Sequence, residues 1–198
     1  IALDKALTPS QNAQRYFKRY QKLKEAVKYL TELIEETKAT ILYLESVETV
    51  LNQAGLEEIA EIREELIQTG FIRRRQREKI QKRKKPEQYL ASDGKTIIYV
   101  GRNNLQNEEL TFKMARKEEL WFHAKDIPGS HVVISGNLNP SDEVKTDAAE
   151  LAAYFSKGRL SNLVQVDMIK VKKLNKPTGG KPGFVTYTGQ KTLRVTPD

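Results

Sequence analysis

A chain of 198 residues allows one or two domains, and 38% hydrophobic with 30% charged residues describes a folded, soluble chain in which no apolar run reaches membrane-spanning length. The absence of cysteine excludes disulfides and thiolate metal sites. The net charge of +8 is localised: residues 73–85 hold nine basic residues against Glu78 alone, while residues 1–72 sum to −3 and residues 86–198 to +3.

The opening Ile1-Ala2-Leu3-Asp4 has neither the charged start nor the apolar segment of a signal peptide, and a first residue other than methionine suggests a fragment. Thr8-Pro9-Ser10-Gln11 reads as a helix start. Thr8 caps, Pro9 suits the first helical position and Gln11 closes a capping box. A heptad seam follows through Tyr16, Tyr20, Leu23, Val27, Leu30, Ile34, Thr37, Ile41 and Leu44, and Gly55 is expected to end the helix. About 43 residues at 1.5 Å each make a rod roughly 65 Å long. A second helix is expected from Leu56 to about Thr69, closed by Gly70. It is too short to cover the seam, so the coil is expected to self-associate or to expose an apolar stripe.

Residues 71–85 read as a continuing basic helix stopped by Pro86. A block of like charge attracts polyanions, although it can equally be a solvated linker. From residue 86 the pattern turns to short strands: Thr96–Val100, Leu110–Lys113, Leu120–Lys125, His131–Ser135, Val164–Lys172, Phe184–Thr188 and Thr192–Thr196. Asp93-Gly94 and Thr188-Gly189-Gln190-Lys191 read as hairpin turns, and Pro128-Gly129-Ser130 as a type II turn that returns His131 beside His123. One helix interrupts the strands. Asn139 caps it, Pro140 takes its first position, and Val144, Ala148, Leu151, Ala152 and Phe155 form its apolar face. The expected fold is α+β: a coiled-coil arm over residues 1–85 that ends in the basic segment, then a mainly antiparallel β domain with one packed helix over residues 86–198.

On strand Leu120–Lys125, Trp121, His123 and Lys125 share one face. An aromatic, an imidazole and a cation in a row suit stacking on a base or holding a phosphate, while the plainer reading is a core tryptophan with a satisfied histidine. Gly101-Arg102-Asn103-Asn104 offers groups for phosphates or base edges, or asparagines that cap a turn. The loop Asn175–Gly183 offers glycines and lysines to an anion but lacks Walker spacing, and an ordinary turn-rich connection fits it as well. Two-histidine phosphoesterase chemistry needs His-x-Ser/Thr twice and fails at His123-Ala124-Lys125 and His131-Val132-Val133. A zinc site needs a third ligand, and Asp126 is the only nearby carboxylate. No nucleophile elbow or paired-carboxylate motif occurs. No enzyme activity, metal or cofactor is expected.

The runs VGRNN, LTFKMA, LWFHAKDIPGSHVVI, AAELAAYFSKGR and KPTGGKPGFVTY resemble the RNA-binding module of the NFACT family, which includes the bacterial fibronectin-binding protein A group. LTPSQNAQRYFKRYQKLK and YLESVETVL resemble that family's helical arm, and the family's large N-terminal domain would precede it. The resemblance implies a cytoplasmic ribosome quality-control factor. Such a factor engages the large ribosomal subunit carrying stalled peptidyl-tRNA and recruits tRNA for C-terminal alanine tailing. It further implies that Arg73, Arg74, Arg75, Arg77, Lys82, Arg83, Lys84 and Lys85 contact RNA phosphates. Trp121, His123, Lys125, Ser130 and His131 would form a more specific surface, aided by Arg102, Asn103, Lys176 and Lys181. Residues that select the tRNA belong to the N-terminal domain, so little sequence preference is expected of this chain. The same group's name raises a second expectation, a cell-surface adhesin for fibronectin or fibrinogen.

Overall fold

The computed structural model describes residues 1–75 and 84–197. The chain divides into two compact units, Ile1–Leu42 and Tyr43–Asp198. Helix α1 spans Pro9–Leu51. Its start is the expected capping box: the Gln11 N–H donates to the Thr8 hydroxyl at 3.3 Å, and the Thr8 N–H donates to the Gln11 side chain at 2.8 Å. In the first unit the Asn12 side chain ties the N-terminal segment down, accepting from the Asp4 N–H and donating to carbonyls of Asp4, Leu7 and Thr8. The seam residues Tyr16, Tyr20, Leu23, Val27, Leu30, Ile34 and Ile41 are exposed.

In the second unit, Tyr43, Val47 and Val50 from the end of α1 pack on Ile62 of helix α2 (Leu56–Gln68), with Leu66 and Phe184 at the margin. Gly55 does not end α1; it precedes α2 as that helix's N-cap. Gly70 adopts φ +83° after α2. Gly70 and Phe71 donate to the carbonyls of Ile67 and Leu66, a Schellman closure that only glycine adopts without strain. The basic helix expected over residues 71–85 is therefore not continuous with α2. Residues 73–75 and 84–86 belong to no helix or strand, and residues 76–83 lie outside the described range.

Six antiparallel strands follow: β1 (Glu87–Leu90), β2 (Ile97–Val100), β3 (Leu120–Ala124), β4 (Val132–Ser135), β5 (Val164–Lys170) and β6 (Lys191–Val195), in the order β1-β2-β4-β3-β5-β6. Asp93 closes the β1–β2 hairpin by accepting from the Lys95 and Thr96 N–H groups and the Thr96 hydroxyl. Between β2 and β3 lies helix α3 (Asn104–Glu109), continued as a π turn over Leu110–Met114. The strand expected over Leu110–Lys113 is thus helical, because the Asn103 side chain accepts from the Gln106 N–H and caps α3. Helix α4 (Asp142–Tyr154) is capped by Ser141 rather than Asn139. The strand expected over Phe184–Thr188 is reduced to a single bridge, Asn175 to Thr186. Strand β6 therefore pairs with β5 and forms no hairpin with that segment.

The sheet is covered on both faces. On one, α4 buries Val144, Ala148 and Ala152 against Phe122, Ala124, Val132, Ile134 and Val166. On the other, the π turn contributes Leu110, and the segment after β5 contributes Val171, Leu174, Val185 and Tyr187. These cover Trp121, Val133 and Ile169. Burying both faces removes a large apolar area from water, at about 25 cal/mol per Å².

Candidate nucleic-acid interface

β3 alternates as expected: Phe122 and Ala124 face α4, and Trp121 faces the other layer. That layer is closed, so Trp121 is 0% exposed and cannot act as an open stacking surface. Its ring stacks on His123 at 5.6 Å and meets the edges of His131 and Tyr187 at 4.9 and 5.3 Å. His131 does return beside His123, with ring centroids 5.4 Å apart. The turn is not type II, because Gly129 does not take the positive φ that such a turn needs at its third position, and residues 128–130 run beside Ser156. Ser130 is buried there, its N–H donating to the Phe155 carbonyl at 2.9 Å.

His131 is buried and shares a 2.7 Å hydrogen bond with the Thr111 hydroxyl. Burial, then the neighbouring His123, hold its pKa well below the usual imidazole value. His123 keeps partial exposure, yet burial lowers it to about 4 against the opposing pull of the Gly129 backbone and Asp167. Both imidazoles are therefore neutral at pH 7. The Asp167 carboxylate accepts from the Thr192 hydroxyl at 2.6 Å and the Tyr187 hydroxyl at 3.2 Å. Of the five residues expected to form a specific surface here, only His123 and Lys125 retain exposure, and the contact they can offer is small. Among the described residues, no three His, Asp or Glu side chains are grouped to hold a metal.

Arg102 and Asn103 also point inward. The Arg102 guanidinium lies 4.1 Å over the Phe155 ring and donates to the Gln53 carbonyl at 3.2 Å. Asn103, besides capping α3, donates to Glu61 at 2.8 Å. The glycine-lysine loop folds back similarly. Lys181 stands 5.3 Å over the Phe71 ring, and Lys176 donates to Glu108 at 2.8 Å.

The basic segment is partly engaged. Arg74 is ion-paired with the buried Glu64, and Lys84 with Glu57. Arg73, Arg75 and Lys85 are exposed. Arg77, Lys82 and Arg83 lie outside the described residues. A second cationic surface lies at the end of β5, where Lys170, Lys172 and Lys173 lead into the glycine-lysine loop that the sequence offers to an anion. Lys170 and Lys172 clamp Glu118 at 2.9 and 2.7 Å, and the Lys172 N–H donates to the Lys117 carbonyl. Those lysines hold the half-buried Glu118 carboxyl at about 2, so it stays ionised. Arg116 and Lys173, both exposed, are the chain neighbours of Lys117 and Lys172, so five cations flank this junction. The sequence signal was the lysine alternation at the end of β5, and its meaning depends on residues 116–118 lying next to it.

Residues 1–85 match the family model of the NFACT N-terminal and middle domains, and residues 85–189 that of the NFACT protein RNA binding domain. Proteins named Rqc2 homolog RqcH from Streptococcus pneumoniae serotype 2 (strain D39), Streptococcus suis (strain 05ZYH33) and Bacillus subtilis (strain 168) are 96%, 82% and 45% identical, each over 100% of this chain. The chain spans 36%, 36% and 35% of their lengths. The solved C-terminal structure of the fibronectin/fibrinogen-binding protein from Streptococcus suis superposes with a TM-score of 0.94 at 80% identity, covering 98% of this chain and 78% of that one. The chain belongs to the NFACT family, and most of its second unit is that family's RNA-binding domain.

Proposed function

We propose that this chain is the RNA-binding part of a cytoplasmic ribosome quality-control factor. It engages the large ribosomal subunit and tRNA during C-terminal tailing of stalled chains, and acts by binding rather than by catalysis. The match of residues 85–189 to the NFACT RNA-binding domain carries this reading, and the names of the full-length relatives support it. Exposed cations supply the affinity. Arg73, Arg75 and Lys85 belong to the basic run of residues 73–85, and Arg116, Lys117, Lys170, Lys172 and Lys173 flank the end of β5. With Trp121 and His131 buried, sequence discrimination is weak and phosphate contacts dominate.

Fluorescence anisotropy with labelled bulk tRNA at about 50 and about 200 mM salt tests the reading. Six or more phosphate contacts lower affinity by roughly 10³-fold or more between those salts. Neutralising residues 73–85 is expected to remove most of the binding and flatten the salt dependence. Absence of binding at low salt sinks the reading. The second reading, adhesion to fibronectin or fibrinogen, draws on the name of the solved relative. Binding to immobilised fibronectin that survives neutralisation of both cationic groups would favour it.

A further inference from the structure

A pocket of about 590 Å³ opens in the second unit between β1, the end of α4 and the residues just after α4. Its size falls within the range of small-ligand sites, roughly 300–1,000 Å³. Its walls repeat one device. Arg102 lies 4.1 Å over the Phe155 ring, and Arg159 lies 4.0 Å over the Tyr154 ring. Tyr89 closes the side, 6.0 Å from Phe155, and donates its hydroxyl to Glu87 at 2.7 Å. Burial, then that bond, push the Tyr89 hydroxyl up to about 12, so it remains a donor.

Two groups are held ready for a ligand. The Arg102 Nε is buried without a hydrogen-bond partner, its nearest carboxylate being Glu87 at 3.6 Å. A buried donor in that state calls for an acceptor. Arg159 keeps partial exposure while bonded to the Tyr154 hydroxyl, so its planar group is fixed at the pocket surface. Guanidinium planes and aromatic rings are the surfaces on which unpaired bases stack. A bare phosphate is a poorer fit, because the half-exposed Glu87 carboxylate lines the same space. That carboxylate can accept from the N–H groups on a base edge while the arginines meet the oxygens.

We propose that this pocket binds a single unpaired nucleotide, with the base stacked on the Arg159–Tyr154 pair, its edge read by Glu87, and acceptor oxygens turned to Arg102. The proposal rests on the RNA-binding reading above and adds a site for single-stranded RNA that the exposed cations do not provide. Neither the family match nor the relatives' names assign it.

The test uses the chain with Arg159→Ala and Arg159→Lys. Anisotropy is measured with an unstructured ten-nucleotide RNA and with a duplex of equal length, and circular dichroism verifies folding. Arg159→Ala is expected to weaken single-strand binding by about five- to a hundred-fold and duplex binding by less than about twofold. Arg159→Lys keeps the charge without the plane and should leave most of the defect. Full rescue by lysine, equal losses on duplex and single strand, or unchanged single-strand affinity overturns the pocket while leaving RNA binding intact. Titration with AMP, CMP, GMP and UMP, followed by the amide resonances of Tyr154, Phe155 and Arg159, decides the pocket independently. Shifts centred there sustain it even if the chain fails to bind tRNA, and their absence at about 10 mM nucleotide overturns it.

Discussion

Asn104 grips Glu65 twice, its backbone N–H donating to one carboxylate oxygen at 3.1 Å and its side-chain amide to the other at 2.9 Å. The Tyr43 hydroxyl donates to the same carboxylate at 2.8 Å. Four residues earlier on α2, Glu61 accepts from Asn103 and Gln106 at 2.8 and 2.7 Å. A helix presenting two buried carboxylates one turn apart is thus met by the amides that begin α3. The GRNN run fastens α2 to the β domain.

Removing the Asn104 amide leaves Glu65 buried with fewer donors. Asn104→Ala is expected to cost about 2–4 kcal/mol of unfolding free energy, the range for a buried charge that loses a partner. Burial holds the Glu65 pKa above the ordinary glutamate value despite the Asn104 and Tyr43 bonds. The folded state therefore binds its proton more tightly than the unfolded state does. Its protonation adds stability as pH falls through the raised pKa, and that gain is complete below about 4.5. Urea unfolding of wild type and Glu65→Gln between pH 7 and 4.5 checks this: the glutamine variant should lack the gain.

Gly101 is fixed by a close approach. A Cβ there would stand 2.2 Å from the Asn107 side-chain oxygen and 2.9 Å from its backbone nitrogen. That same oxygen accepts from the His131 N–H at 2.9 Å. Gly101→Ala is expected to destabilise by about 1–3 kcal/mol through overpacking, and a melting curve measures it.

His123 provides the opposite pH signature to Glu65. Its folded pKa near 4 lies below the unfolded value of about 6.5, so the unfolded state binds the proton more readily. Stability is complete above about 6.5 and declines as pH falls toward 4. His131, also depressed by burial, adds in the same direction. Unfolding followed at pH 7.5, 6 and 5 should show a smaller decline for His123→Gln than for wild type.

Local signals were legible where neighbours in sequence make the contact. Thr8 with Gln11, Asp93 with Thr96, and the Gly70 closure all act within five residues. The alternation at Trp121 and Phe122 correctly separated two faces of β3. It could not say that the Trp121 face is covered, because the cover comes from Leu110 and from Val171 to Tyr187. Leu110, Val171, Val185 and Tyr187 all fall in segments that read as strands, so nothing local marks them as a layer laid over β3. Arg102 and Asn103 looked like surface groups because their partners, Gln53 and Glu61, stand 49 and 42 positions earlier.

The exposed stripe of α1 predicts association. Tyr16, Tyr20, Leu23, Val27, Leu30, Ile34 and Ile41 keep heptad spacing and are exposed together. In isolation the chain is expected to form a concentration-dependent dimer through this stripe. Val27→Glu with Leu30→Glu should shift it to monomer without lowering helix content. Sedimentation velocity over a hundredfold concentration range decides, and a monomer throughout would rule the pairing out.

Trp121 supplies the most direct optical check, since it is the sole tryptophan. Full burial beside Leu110, Val133 and Ile169 predicts blue-shifted emission and weak quenching by acrylamide. If RNA is held by the exposed cations and the arginine pocket, saturating the chain with RNA should leave that emission nearly unchanged. Trp121→Phe should retain RNA affinity within about twofold, whereas Trp121→Ala should cost about 3–5 kcal/mol of stability by emptying the layer. Strong quenching by RNA, or loss of binding in a folded Trp121→Phe, would mean that the layer over β3 opens to expose the ring. The stacking surface would then return to the motif that first suggested it.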